Sequence, residues 1–141
     1  CVDTLAGGQE HQEAAARTPE EAEMLAGVES RFDANTTAFG GRLEKIKAPS
    51  LDALIGLGVA ERHFDIAYID GGHRASEVYA DSALTWPLIA AGGLVIFDDY
   101  QWAEMPEPMD NPKPGVDAFL KSIEGQYRMV HDDYQVAIAK L

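Results

Sequence analysis

Two runs of the chain all but lose the alternation of polar and apolar positions. Phe64-Asp65-Ile66-Ala67-Tyr68-Ile69 and Leu94-Val95-Ile96-Phe97 are β-branched and aromatic, and each stops at carboxylates, Asp70 in one case and Asp98-Asp99 in the other. Such runs predict strands of a parallel sheet covered on both faces. Residues 1–3 read as the end of a further strand, and residues 4–12 as a loop around Gly7-Gly8. Thr18-Pro19-Glu20-Glu21 predicts a helix start, with Thr at the cap, Pro first and Glu three after the cap. Leu25, Val28 and Phe32 share one face of that helix, which should end near Phe39-Gly40-Gly41. Residues 42–48 alternate and predict a short edge-like strand, and Ser50 is placed to cap a brief helix over 51–57. A helix is expected over 76–90, ending or kinking at Pro87, and a second over 116–123. Between them, residues 104–114 carry four prolines and read as a loop or lid. Residues 126–131 and 135–139 flank Asp132-Asp133-Tyr134 as a closing hairpin.

The resulting order, β-α-β-α-β-α-β-α-β-β, predicts an α/β fold of Rossmann-like type. Its sheet is mostly parallel, with helices on both faces and a C-terminal antiparallel hairpin. At 141 residues the chain is expected to hold one domain. A net charge of −13 argues against a nucleic-acid backbone or an anionic membrane as partner, and leaves a charged small molecule admissible. The longest apolar stretch, residues 86–97, is interrupted by Pro87, Gly92 and Gly93 and is too short to span a bilayer. Cys1 is the single cysteine, which excludes an internal disulfide and a thiolate metal cluster and fits a cytoplasmic setting.

Ligands of open α/β sheets bind beyond the carboxyl ends of the strands. Asp70, Asp98 and Asp99 are therefore expected to converge. Three carboxylates in one crevice repel unless something offsets them, and Mg²⁺ with its oxygen ligands is a natural neutraliser. The alternative is that some of them cap turns, as Asp70 before Gly71-Gly72 could. His73, three residues on, is placed either to take a proton from a substrate hydroxyl or merely to start a helix. Asp3, ending the first strand, could accept ribose hydroxyls or begin a turn with Thr4. His11, in the glycine-bearing loop, could lie near a ligand.

Taken together, these segments resemble the class I S-adenosylmethionine-dependent methyltransferases, and within them a small-molecule branch. The resemblance is carried by Tyr68-Ile69-Asp70-Gly71-Gly72-His73 and by Ile96-Phe97-Asp98-Asp99-Tyr100. The opening Asp3-Thr4-Leu5-Ala6-Gly7-Gly8-Gln9-Glu10-His11 matches with Leu5 where the branch has Trp. Gly115-Val116-Asp117-Ala118-Phe119-Leu120 and Tyr134-Gln135-Val136-Ala137-Ile138 match as well. The family fold is a seven-stranded sheet in the order 3-2-1-4-5-7-6. The resemblance implies that Asp3 binds the cofactor ribose, that the loop around Ser50 approaches the adenine, and that Asp70 also serves the cofactor. It implies Mg²⁺ on Asp70, Asp98 and Asp99, and proton removal by His73 or Asp70. The family's first strand and its glycine-rich loop have no counterpart in the sequence. The chain therefore reads as the C-terminal two-thirds of a single methyltransferase-like domain.

The expected function is methyl transfer from S-adenosylmethionine to a small-molecule acceptor, at oxygen and with Mg²⁺, by a protein for which homo-oligomer formation is open. The alternative is a non-catalytic Rossmann-like binding module, or an inactive fragment. Hydrolysis by the Asp cluster lacks a nucleophile or phosphate cradle, and a dehydrogenase lacks G-x-G-x-x-G.

Overall fold

The computed structural model describes residues 1–141, the side chains of residues 9 and 10 excepted. The chain divides into two units, Cys1–Ala53 and Leu54–Leu141. Its six strands lie in two sheets, one of two strands and one of four.

In the first unit, β1 (Val2–Asp3) pairs in parallel with β2 (Ile46–Lys47), Asp3 opposite Lys47. Between them run α1 (Gln9–Ala15), α2 (Pro19–Ala26) and α3 (Val28–Thr36), followed by a 3₁₀ turn over Thr37–Arg42. The cap expected at Thr18 forms: its hydroxyl oxygen accepts the Glu21 N–H at 3.2 Å and its hydroxyl donates to Glu21 Oε2 at 2.8 Å. Three expectations are corrected. Residues 9–12 are helical rather than loop, because the glycine turn ends at Gly8 and a run of good helix formers follows it. The long helix is two, broken at Gly27, which ends α2 and begins α3. The strand expected over 42–48 shrinks to two residues because the 3₁₀ turn runs through Arg42. α4 (Ser50–Val59) crosses the boundary between the units and starts at Ser50 itself, not after it.

The second unit is built on β3 (Phe64–Ile69), β4 (Ile89–Phe97), β5 (Tyr127–Asp132) and β6 (Val136–Lys140), in the order β3-β4-β6-β5. β3 and β4 are parallel, while β4–β6 and β6–β5 are antiparallel. This sheet is thus mixed, with the closing hairpin folded back beside β4. α5 (Ala75–Thr85) stops earlier than expected. Pro87 lacks an N–H to continue the helix, so the chain tightens into a 3₁₀ turn over Trp86–Leu88 and enters β4 at Ile89. β4 accordingly starts well before Leu94. Its extra residues bulge against β3, with Gly92 at φ +81° and Gly93 so close that a Cβ would stand 2.8 Å from the Asp65 carbonyl oxygen. α6 (Lys113–Ser122) takes Pro114 into its first turn, where a missing N–H costs nothing. The proline-rich loop is correspondingly shorter. Asn111, 7% exposed, ties it by bonding the Met105 N–H, the Met105 carbonyl and the Glu107 carbonyl.

The core lies between one face of this sheet and α5 and α6. Val95, Phe97, Val136 and Ile138 meet Val78, Val116 and Phe119, with Phe119 edge-on to Trp86 at 6.0 Å. Gly115 lets α6 approach α5: a Cβ there would stand 2.3 Å from the Ala75 carbonyl oxygen.

Candidate functional site

The sheet register brings the acidic residues together. Ile69 pairs with Phe97, and the Asp98 N–H bonds the Ile69 carbonyl at 3.0 Å, so the chain beyond β3 and the chain beyond β4 leave the sheet side by side. Successive residues of a strand point to opposite faces. Asp99 escapes that rule because its backbone turns left-handed, φ +52°, a conformation Asp tolerates better than most residues. As a result Asp70, Asp98 and Asp99 each present a carboxylate oxygen, all within 4.8 Å of one another. They line a crevice open to solvent, together with Gly71, Gly72 and His73.

Asp98 and Asp99 each have their own support. Asp98 accepts the Tyr68 hydroxyl on Oδ2 at 2.5 Å, Gln135 Nε2 on Oδ1 at 2.8 Å and the Asp99 N–H on Oδ1 at 2.9 Å. Partial burial pushes the Asp98 pKa up, and the hydrogen bonds from Tyr68 and Gln135 outweigh it, leaving the group below the ordinary carboxylate range. The same hydrogen bond to Asp98, then partial desolvation, pushes Tyr68 up to about 12, so its phenol stays a donor. Asp99 accepts the Tyr134 hydroxyl on Oδ1 at 2.8 Å and faces His73 Nε2 from Oδ2 at 3.3 Å. The bond to Asp99 likewise raises the Tyr134 pKa. Trp102 leans on His73, ring centroids 4.3 Å apart and 37° between planes.

Of the residues expected at the site, Asp70, Asp98, Asp99 and His73 are brought together. Asp3 and Ser50 belong to the first unit, where Asp3 is the last residue of β1 and Ser50 begins α4 just past the carboxyl end of the parallel strand β2. Asp3 Oδ1 accepts the Leu5 N–H at 2.6 Å, so the turn expected as its alternative role is formed. His11 lies in α1, not in a loop. The site also draws on Trp102 of the proline-rich loop, and on Tyr68, Gln135 and Tyr134; to the last three the sequence reading assigned no site role. Tyr68 and the Tyr134-Gln135 pair stood inside the matched motifs, and only the strand register shows what they touch.

A family model described as "Methyltransferase domain" matches residues 1–100. The chain belongs to that family. Strand order and family together bear out the resemblance to the class I S-adenosylmethionine-dependent methyltransferases. An uncharacterised protein of Acanthamoeba polyphaga mimivirus is 34% identical over 95 residues, 62% of this chain and 43% of that one. Among solved structures, MycE methyltransferase of the mycinamycin pathway, in complex with Mg, SAH and mycinamycin VI, is similar with a TM-score of 0.53. It is 20% identical, over 68% of this chain and 31% of MycE. A candidate caffeoyl-CoA O-methyltransferase from Staphylococcus aureus gives 0.57 at 19% identity, over 84% of this chain and 60% of that one. Apo CalS11, a TDP-rhamnose 3'-O-methyltransferase of calicheamicin biosynthesis, gives 0.54 at 16%, over 98% of this chain and 56% of that one. These structural likenesses establish the methyltransferase fold, and the chain spans between about a third and three fifths of the length of these relatives. Among the described residues, no helix is long and apolar enough to cross a membrane.

Proposed function

We propose that this methyltransferase-family chain carries the C-terminal two-thirds of a domain that moves a methyl group from S-adenosylmethionine to an oxygen of a small-molecule acceptor, with Mg²⁺ held by Asp70, Asp98 and Asp99. The observation that carries the reading is the convergence of three carboxylates at the ends of β3 and β4. A donor set made only of carboxylate oxygens suits a hard cation. The strand order supports the domain reading: β2-β1 and β3-β4-β6-β5 correspond to 3-2 and 4-5-7-6 of the family order, in two separate sheets.

When bound, Mg²⁺ lowers the pKa of a neighbouring hydroxyl, and S-adenosylmethionine supplies an electrophilic methyl group. The chain's own residues do the rest. Asp3, at the carboxyl end of β1, and Ser50, just past that of β2, serve the ribose and adenine. Asp70 or His73 takes the acceptor's proton. The tautomer that donates Nε2–H to Asp99 leaves Nδ1 as the basic nitrogen of His73, and that atom is buried, which favours Asp70. Trp102, Met105 and Met109 give the acceptor an apolar contact. Positioning of acceptor against methyl carbon supplies much of the rate. The reading has no role for nucleic acid or membrane, fits a cytoplasmic protein, and leaves room for a homo-oligomer.

The test is transfer of a tritiated methyl group to a panel of hydroxylated small molecules, alongside a thermal melt with S-adenosylhomocysteine. Transfer should fall by more than about hundredfold with EDTA and in Asp98→Ala. Undiminished transfer in both would remove the metal from the reaction. A cooperative melt that ignores the ligand would favour a non-catalytic binding module instead.

A further inference from the structure

We propose that Gln135 is a positioning residue for Asp98, holding that carboxylate in the direction a divalent cation requires; the proposal rests on the cation reading above. In the β4–β6 ladder Phe97 stands opposite Val136, so the next pair outward is Asp98 and Gln135. In the β3–β4 ladder Tyr68 stands opposite Ile96, two residues before Asp98 on the same face. Three neighbouring strands thus each bring one polar side chain to one sheet face at one end.

The three close a triangle. Gln135 Nε2 donates one hydrogen to the Tyr68 hydroxyl at 2.8 Å and the other to Asp98 Oδ1 at 2.8 Å, while Tyr68 donates to Asp98 Oδ2 at 2.5 Å. A primary amide carries two donors on one nitrogen, which is what this corner needs. The opposite amide orientation would set an oxygen against a carboxylate. With the Asp99 N–H also on Oδ1, three donors occupy a carboxylate that has about four lone-pair directions. What remains to Asp98 points one way and cannot swing. Groups that orient a ligand in this manner are worth about 10- to 100-fold in metal affinity.

The experiment is a titration of the full chain with Mn²⁺, free metal being counted by electron paramagnetic resonance, well below the melting temperature. Wild type should bind and Asp98→Ala should not. Gln135→Leu should bind about tenfold more weakly, and Tyr68→Phe severalfold. The double variant should lose less than the product of the two, because both act through one carboxylate. A purely structural role would lower the melting temperature and leave the affinity of the folded protein alone. Should Gln135→Leu not fold, Tyr68→Phe carries the same expectation, since it removes one hydroxyl from a ring 51% exposed. Wild-type affinity in Gln135→Leu and Tyr68→Phe, with Asp98→Ala devoid of Mn²⁺, would overturn the positioning role and leave the cation site standing. A wild type that takes up no Mn²⁺, or an Asp98→Ala that binds it normally, would remove the cation reading and this proposal with it.

Discussion

Residues 1–53 and residues 54–141 are held by different physics. Among the described side chains of the first unit, Ala53 alone is buried, and its organisation comes from caps and surface ion pairs. Lys45 bonds Asp33 at 2.5 Å and Glu29 at 3.2 Å, and Lys47 bonds Glu29. Exposed pairs of this kind are each worth little, because water screens them and long side chains must be ordered. The second unit encloses Phe97, Phe119, Val95, Val116 and Ile138 almost completely. The acidic crevice stands on the strands that this core holds, and a crevice built to converge three carboxylates needs such a base.

The comparison can be broken most directly by amide hydrogen exchange. Amides of β4 and β6 should exchange only through global unfolding, and those of β1 and β2 through far smaller openings. Equal protection in both pairs of strands would show that burial does not separate the units. Next comes truncation. Phe119→Ala should cost about 3–5 kcal/mol by chemical denaturation, whereas Leu25→Ala, at a half-buried position on the otherwise exposed α2, should cost within about 1 kcal/mol. Equal costs would refute the contrast.

Gly115→Ala should cost about 1–3 kcal/mol, because the new methyl meets the Ala75 backbone, which belongs to α5 and cannot yield cheaply. A neutral result would mean that the α5–α6 approach is not tight in solution.

The smallest effect is on pH. Hydrogen bonds from Lys47 and then Lys45 lower the Glu29 pKa, and the hydrogen bond to Asp33 raises that of Lys45. The Glu29 contribution is therefore present above its ordinary value of 4.5 and fades as pH falls through the lowered folded value. The Lys45 contribution is present below 10.5 and fades as pH rises through the raised folded value. The α3 resonances should follow both fades, weakly and less at high salt, and Glu29→Gln should abolish the acid one. An acid fade that persists in Glu29→Gln would assign it elsewhere.

Much of the second unit was legible from the residues. A β-branched run ending in carboxylate marks a strand and its carboxyl end, so β3, the late half of β4, the hairpin and the three aspartates were all in view, although β3 is not covered on both faces as expected: Ile66 and Tyr68 stand 59% and 51% exposed. Thr18-Pro19-Glu20-Glu21 named a helix start because a cap is a local bond between residues three apart. What the sequence could not determine depends on contacts far along the chain. The early half of β4 joins β3 through Ile89 opposite Phe64, bulges over 90–93, and overrides a helical pattern once Pro87 has stopped α5. Asp98 and Asp99 meet in one crevice only because Asp99 turns left-handed, a choice that tertiary surroundings make. Gln135 and Tyr68 reach Asp98 from 37 and 30 residues away through strand register. Sequence periodicity records which face a residue takes. Which residue stands beside it is decided by the pairing of strands.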